Sequence, residues 1–150
     1  MNRDSYINYY TKLVMKKVEI DKMIDKISFL GVPGLVFLVL LSFSPWAGGA
    51  AIMSTLSLLG GPFGAIAGIG VLLVFSKYGS KISALGYNKV ISLVIHRMRS
   101  KGKTEEEIVE EIKSFPITDE LKRKVINKMQ IAVESDQKED DQYSSITSRR

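Results

Sequence analysis

The sequence predicts an all-α protein: a two-span transmembrane helical hairpin flanked by amphipathic helices, with a small C-terminal helical hairpin. Two observations predict this fold. Fifty consecutive residues, Ile27 to Ser76, carry no charged side chain, and fifty helical residues reach about 75 Å, enough to cross a hydrocarbon core of roughly 30 Å twice. The flanking segments place apolar residues three, four and seven apart, which is the period of an amphipathic helix.

Charge is unevenly distributed along the chain, which has a net charge of +5 and a mean hydropathy of +0.07. Residues 1–26 carry six Lys/Arg and four Asp/Glu, residues 77–103 carry seven and none, and residues 104–150 carry eight and twelve. The absence of cysteine excludes disulfides and thiolate metal sites. Outside the apolar block there is enough chain for one small helical unit.

The N-terminal segment, residues 1–28, is expected to form an amphipathic helix from about Asp4 to Ser28. The hydrophobic hairpin follows over residues 29–76. Near its start, Pro33 should kink or restart the helix, because proline lacks a backbone donor and disfavours the preceding helical turn.

Strong helix breakers divide the hairpin. The turn is expected at residues 44–49, where the indole of Trp46 suits the membrane interface. A second set of breakers at residues 60–62 should kink the returning span, whereas a full break would leave residues 50–59 as a re-entrant half-helix only about 15 Å long. The kink itself is assigned to Gly61 and Pro62.

Basic residues flank the charge-free block on both sides, and the proposed turn has no charge. The positive-inside rule therefore predicts a multi-pass protein of the cell membrane with both termini in the cytoplasm. Three short spans, broken at Pro45 and Pro62, would instead place one basic flank outside.

Three glycines at four-residue spacing, Gly60, Gly64 and Gly68, lie on one helix face and allow another helix to approach closely. They predict helix packing within the hairpin or between chains, including homo-oligomers that line a pore. Small residues are also frequent in membrane helices, and the first glycine could simply serve the kink, so the spacing does not separate these interpretations.

Residues 77–103 form a basic segment without any acidic residue, and Ile82 to Arg99 is expected to be one amphipathic helix on the membrane surface. Tyr78 and Tyr87 are placed at the membrane interface. Nucleic-acid binding is less favoured, because the basic cluster adjoins a membrane span and has no recognition motif. The residues expected to bind anionic lipid are Lys77, Lys81, Lys89, Arg97, Arg99, Lys101 and Lys103.

Residues 104–133 read as two short helices joined by a turn at Pro116. Thr104 and Glu107 form a capping box at the start of the first helix. This hairpin is expected to dock on the basic helix, where its acidic side chains would compensate that helix's positive charge. It is also a candidate binding site for a protein partner. The polar tail, residues 134–150, is expected to be disordered.

No residue pattern indicates an enzyme, a metal site or a cofactor. His96 is the single histidine and is expected on a solvated basic face. The acids from Glu105 to Glu111 suit a helix start rather than a catalytic cleft, and no glycine-rich phosphate loop follows a strand.

The apolar hairpin with basic amphipathic flanks resembles the membrane-inserting part of pore-forming colicins, and its size and layout are similar to phage holins; no motif assigns the chain to either family. The resemblance implies a self-associating, membrane-permeabilising protein of bacteriocin, toxin or holin type. The alternative is a non-lytic membrane anchor, such as an immunity or adaptor protein, whose cytosolic helices at 104–133 bind a protein.

Overall fold

A computed structural model describes residues 2–43 and 67–149. In these ranges every regular element is a helix, which confirms the all-α class for the described part of the chain. The helices there are α1 (Arg3–Phe29), α2 (Gly31–Ser42), α3 (Ala67–Leu85), α4 (Tyr87–Ser100), α5 (Glu105–Lys113) and α6 (Asp119–Ser148).

The junction between α1 and α2 is a sharp corner of 113°. Gly31 adopts a φ of +70° there, a conformation that costs glycine little. Pro33 follows in the first turn of α2, where backbone N–H groups have no partner within the helix and proline is tolerated. The predicted interruption near Pro33 is therefore present, and Gly31 makes the turn.

The apolar helix α2 lies at the centre of the bundle and contacts each of the other five described helices. All its residues from Leu35 to Leu41 are buried. A helix without a polar face has to be covered on every side, and here neighbouring helices supply that cover. Inside it, the rings of Phe37 and Phe75 pack with their centroids 4.8 Å apart.

None of the helices in the described ranges is by itself long and apolar enough to cross a bilayer. Only α1 and α2 taken together meet that criterion, across their 113° corner. The predicted turn at 44–49 and the predicted kink at 60–62 lie outside the described residues.

The predicted single helix from Ile82 to Arg99 is wrong, because Gly86 separates α3 from α4. Its φ of +90° and ψ of +140° form a backbone conformation essentially restricted to glycine. The amphipathic pattern itself is correct for α4, since its apolar face is buried. The buried apolar residues of α4 are Val90, Ile91, Val94, Ile95 and Met98.

The C-terminal hairpin consists of α5 and the start of α6. Thr104 and Glu107 form the predicted capping box, and Thr118 caps α6 by accepting a hydrogen bond from the backbone of Leu121. The chain from residue 134, expected to be disordered, is helical to Ser148. No glycine or proline follows Pro116 to stop the helix, and Asp136 is buried against α4.

Candidate functional site

The protein cover around α2 differs from the sequence-based expectation, which placed this apolar segment in a bilayer. Amphipathic helices turn their apolar faces onto α2 and leave their polar faces outward. The cover therefore combines an apolar inner surface with polar links between helices. Its buried inner residues are Ile24 and Ile27 from α1, Ile91 and Val94 from α4, Ile108 and Ile112 from α5, and Val125 and Met129 from α6.

A buried carboxylate links α4 to α6. Asp136 of α6 is only 8% exposed and faces three polar residues that share one side of α4. Lys89 forms an ion pair with it, the hydroxyl of Ser92 donates a hydrogen bond to Oδ2 at 2.8 Å, and Nε2 of His96 lies 3.7 Å from the same oxygen. We call these four residues the Asp136 cluster.

The electrostatics of the Asp136 cluster favour its charged form. Burial acts to raise the pKa of Asp136, but the hydrogen bonds from Lys89 and Ser92 outweigh burial and hold the pKa below its ordinary value. The same hydrogen bond raises the pKa of Lys89, against the effect of its partial burial. Asp136 and Lys89 thus form a charged contact between two of the helices that cover α2.

Serine, histidine and aspartate occur together in this cluster, but their geometry differs from that of a nucleophile and its base. The hydroxyl of Ser92 donates to Asp136 rather than to His96, whereas activation requires the base to accept the proton of the nucleophile. Ser92 is also fully buried. The arrangement joins helices, and the described residues contain no group of three potential metal-binding side chains.

Five of the seven bases expected to bind anionic lipid have a carboxylate neighbour within the protein. Besides Lys89, these bases connect α3, α4 and the residues just after α4 to α1 and α5. The pairs are Lys81 with Glu19 at 2.8 Å, Arg97 with Asp25 at 3.1 Å, Lys101 with Asp25 at 4.0 Å, and Lys103 with Glu111.

The remaining two bases, Lys77 and Arg99, have no carboxylate within 4 Å in the described part of the chain. Lys77 lies 5.3 Å from the ring centroid of its neighbour Tyr78. Of the two tyrosines assigned to the membrane interface, Tyr78 is buried and Tyr87 is half-buried.

A groove of about 770 Å³ lies between the end of α1 and α3. Its apolar lining includes Phe29, Leu73 and Val74. Among the bases predicted to bind lipid, Lys77 and Lys101 also line this groove.

The predicted helix-packing and kink residues fall mostly outside the described ranges. Gly68 lies within α3. Gly60, Gly64, Gly61, Pro62 and Trp46 lie in the part of the chain that the structure does not describe, so their predicted roles stay predictions.

A second feature that sequence reasoning missed is the N-terminal arm, which we define as residues 2–18 of the chain. Every residue of this arm is exposed, although α1 continues from it into the bundle without a break. Tyr6 stacks on Tyr10, with ring centroids 6.3 Å apart, and Tyr9 meets Tyr10 edge to face. The apolar periodicity of this segment is visible in the sequence, but not its lack of a covering partner.

Comparison with protein-family models, curated proteins and solved structures finds no match to the chain. The function is therefore argued from the residues and their geometry.

Proposed function

We propose that this is a membrane protein that inserts its charge-free block, residues 27–76, into a bilayer and permeabilises it. The observation that carries the proposal is the block itself, because fifty residues without a charge are the composition of membrane-spanning segments. In this proposal the block forms the two-span hairpin, with both chain termini on the cytoplasmic side.

The cover around α2 suits a protein that carries an apolar helix through water before it meets a bilayer. Lipid tails are as apolar as the side chains that surround α2, so transfer between the two environments costs little for this helix. The covering helices are amphipathic and can place their apolar faces in the membrane interface after they leave α2.

Ion pairs hold part of this cover, and most of them are exposed. Arg97 with Asp25 and Lys81 with Glu19 are pairs of that kind. An exposed pair contributes about 0–1 kcal/mol. Separation of the covering helices from α2 therefore costs mainly the apolar contacts between them, and lipid can replace those contacts.

In the inserted state, the proposal assigns association between chains to Gly60, Gly64 and Gly68. Small residues allow close backbone approach, which is a main source of helix association in lipid. A homo-oligomer built in this way would line the permeable path, while bases outside the bundle contact anionic headgroups.

Dye release from anionic vesicles tests the proposal directly. Purified protein is expected to release dye, and Gly64→Leu is expected to lose that activity because the larger side chain separates the packed helices. Gly79→Leu is the matched control. A Cβ atom at Gly79 would have open space around it, so this variant should release dye like the unaltered protein.

Absence of dye release at every protein-to-lipid ratio would overturn permeabilisation. Equal loss of release in both glycine variants would remove the assigned role of the glycine face. Circular dichroism of each variant in buffer checks that its helical content is unchanged.

The second candidate is a non-lytic membrane anchor whose C-terminal helices bind a protein partner. The observation that favours it is the end of α6, where residues 137–148 are exposed and include Tyr143 and Ile146. Stable recovery of the protein in membranes together with intact vesicles would support this candidate over permeabilisation.

A further inference from the structure

The N-terminal arm continues the buried stripe of α1 into solvent. In the bundle, Ile24 and Ile27 point into the core. Positions three and four residues apart lie on one helix face, so the same stripe runs back through Leu13, Tyr10 and Tyr6, interrupted by Lys17. These three side chains are 45–59% exposed.

The apolar surface of the arm is wider than that stripe. At about 100° per residue, Ile7, Val14 and Val18 fall beside Tyr10, and together these positions cover about half of the helix circumference. All of them are exposed. Isolated exposed apolar residues are ordinary, but a contiguous aromatic and aliphatic face marks an interaction surface.

The charges of the arm are arranged around this face. Lys12 and Lys16 border it on one side, while Arg3 and Lys17 occupy its two ends. Asp4 is the single acid in the arm, so four bases and one acid leave a net charge of +3. None of these bases has a carboxylate within 4 Å among the described residues, in contrast to most bases of residues 77–103.

We infer that the N-terminal arm binds the surface of anionic bilayers, its apolar face lying among the headgroups and its bases contacting lipid phosphates. Tyrosine suits this depth, because its ring is apolar and its hydroxyl reaches water. Lysine side chains extend from the edge of an apolar face to the headgroups. The inference rests on the proposed function for the bilayer, but it requires neither insertion nor leakage.

A bilayer fits the arm better than a second copy of the chain does. Two arms packed face to face would bring together two net charges of +3. The acidic end of α6, with Glu139, Asp140 and Asp141, has the opposite charge, but its exposed large apolar residues are only Tyr143 and Ile146. That surface is too small to cover half of the circumference of the arm.

The test is sedimentation of the full-length protein with vesicles, with and without anionic phosphatidylglycerol. The triple variant Lys12→Gln, Lys16→Gln, Lys17→Gln removes three charges from the arm. Each base near an anionic surface contributes roughly a factor of five, so the loss of three should lower partition into anionic vesicles by about 100-fold. Partition into neutral phosphatidylcholine should hardly change.

The matched control removes three exposed charges elsewhere, with Arg123→Gln, Lys138→Gln and Arg149→Gln. It should lower partition by less than about threefold. A second arm variant, Tyr6→Ser, Tyr10→Ser, Leu13→Ser, tests the apolar face and should lower partition by at least about tenfold. Unchanged melting temperatures in buffer show that both arm variants fold.

Equal losses in the arm triple and the control triple would overturn the inference, and so would arm variants that bind as well as the unaltered protein. An arm that mediates dimers, detected as dissociation of the unaltered protein's oligomer by the apolar variant without vesicles, would also overturn it. Arm-dependent binding without dye release would instead refute permeabilisation and leave this inference standing.

Discussion

The two halves of α1 have the same apolar period and opposite surroundings. In the C-terminal half, Met23 and Ile27 are completely buried against the bundle. In the N-terminal arm, the equivalent positions, including Tyr10 and Leu13, lie in solvent. The N-terminal arm therefore carries large apolar side chains that contribute nothing to the core.

This difference shows that burial and amphipathicity are separate properties of one helix. Removal of apolar surface from water stabilises the fold by roughly 25 cal/mol per Å² only where that surface is covered. An uncovered apolar face exposes the same surface at a cost in solubility. We attribute the first half of α1 to binding and the second half to stability.

The largest expected effect separates the two halves by stability. Ile27→Ala should lower the free energy of unfolding by about 2–5 kcal/mol, because it leaves a cavity beside α2. Leu13→Ala should change it by less than about 0.5 kcal/mol, because Leu13 is outside the bundle. Urea denaturation followed by circular dichroism measures both values. Similar losses in the two variants would show that the arm is packed in solution.

The corner where the buried half of α1 ends should also be sensitive. Gly34 lies so close to α1 that a Cβ atom there would be 2.6 Å from Cβ of Leu30 and 2.9 Å from the carbonyl oxygen of Ile27. Gly34→Ala should therefore destabilise the protein by about 1–3 kcal/mol through overpacking.

Gly79 is the control for that substitution. It lies within α3 and has open space around it, so Gly79→Ala should stabilise the protein by about 0.5–1 kcal/mol through helix propensity. Thermal melting compares the two variants. A neutral Gly34→Ala would mean that α2 does not pack at this corner.

A smaller effect is expected where charge, rather than apolar contact, holds the bundle. Asp136→Asn removes the carboxylate between Lys89 and Ser92 and should cost about 1–2 kcal/mol at pH 7, a value reduced for the exposure of Lys89. The exposed acid Glu139 on the same helix supplies the control, and Glu139→Gln should cost less than about 0.5 kcal/mol.

The difference in stability between the unaltered protein and Asp136→Asn should depend on pH with a definite sign. The pKa of Asp136 is lower in the folded than in the unfolded state, so its contribution is complete above the unfolded value, roughly 3.9. It is lost as the pH falls through the folded pKa. The raised pKa of Lys89 gives the complementary loss in strong alkali. Urea midpoints of the unaltered protein and Asp136→Asn should converge in acid; a constant separation would contradict this account.

The smallest thermodynamic effect concerns backbone access in the arm. Trypsin should cut first after Lys12, Lys16 or Lys17, because an uncovered helix opens locally at little cost. Cleavage there should leave the unfolding transition of the remaining bundle within about 0.5 kcal/mol of its original value. Mass spectrometry of early digests identifies the site, and early cleavage after the paired Arg97 instead would contradict the contrast between arm and bundle.

Local features of the fold were accessible from sequence. The capping box of Thr104 and Glu107 and the helix restart near Pro33 depend on neighbouring residues, and both are present. Gly86 was equally visible, but the apolar pattern on either side of it reads as one continuous helix. Only the backbone conformation shows that the helix is broken there.

The surroundings of the apolar block were not accessible in the same way. A bilayer and a protein interior are both apolar, so Leu35 to Leu41 would have the same composition in either. The role of Asp136 was hidden for a related reason. Its partners Lys89 and Ser92 are 47 and 44 residues away in the sequence, and no local pattern joins them.

The central place of α2 has a consequence for synthesis. The ribosome completes Leu38 about 100 residues before Asp136, and at roughly 5–20 residues per second that interval is about 5–20 s. During this time the nascent apolar helix has no α6 to enclose it. Factors that bind apolar nascent segments would therefore have this interval to act before α6 can enclose α2, and slower translation would lengthen it.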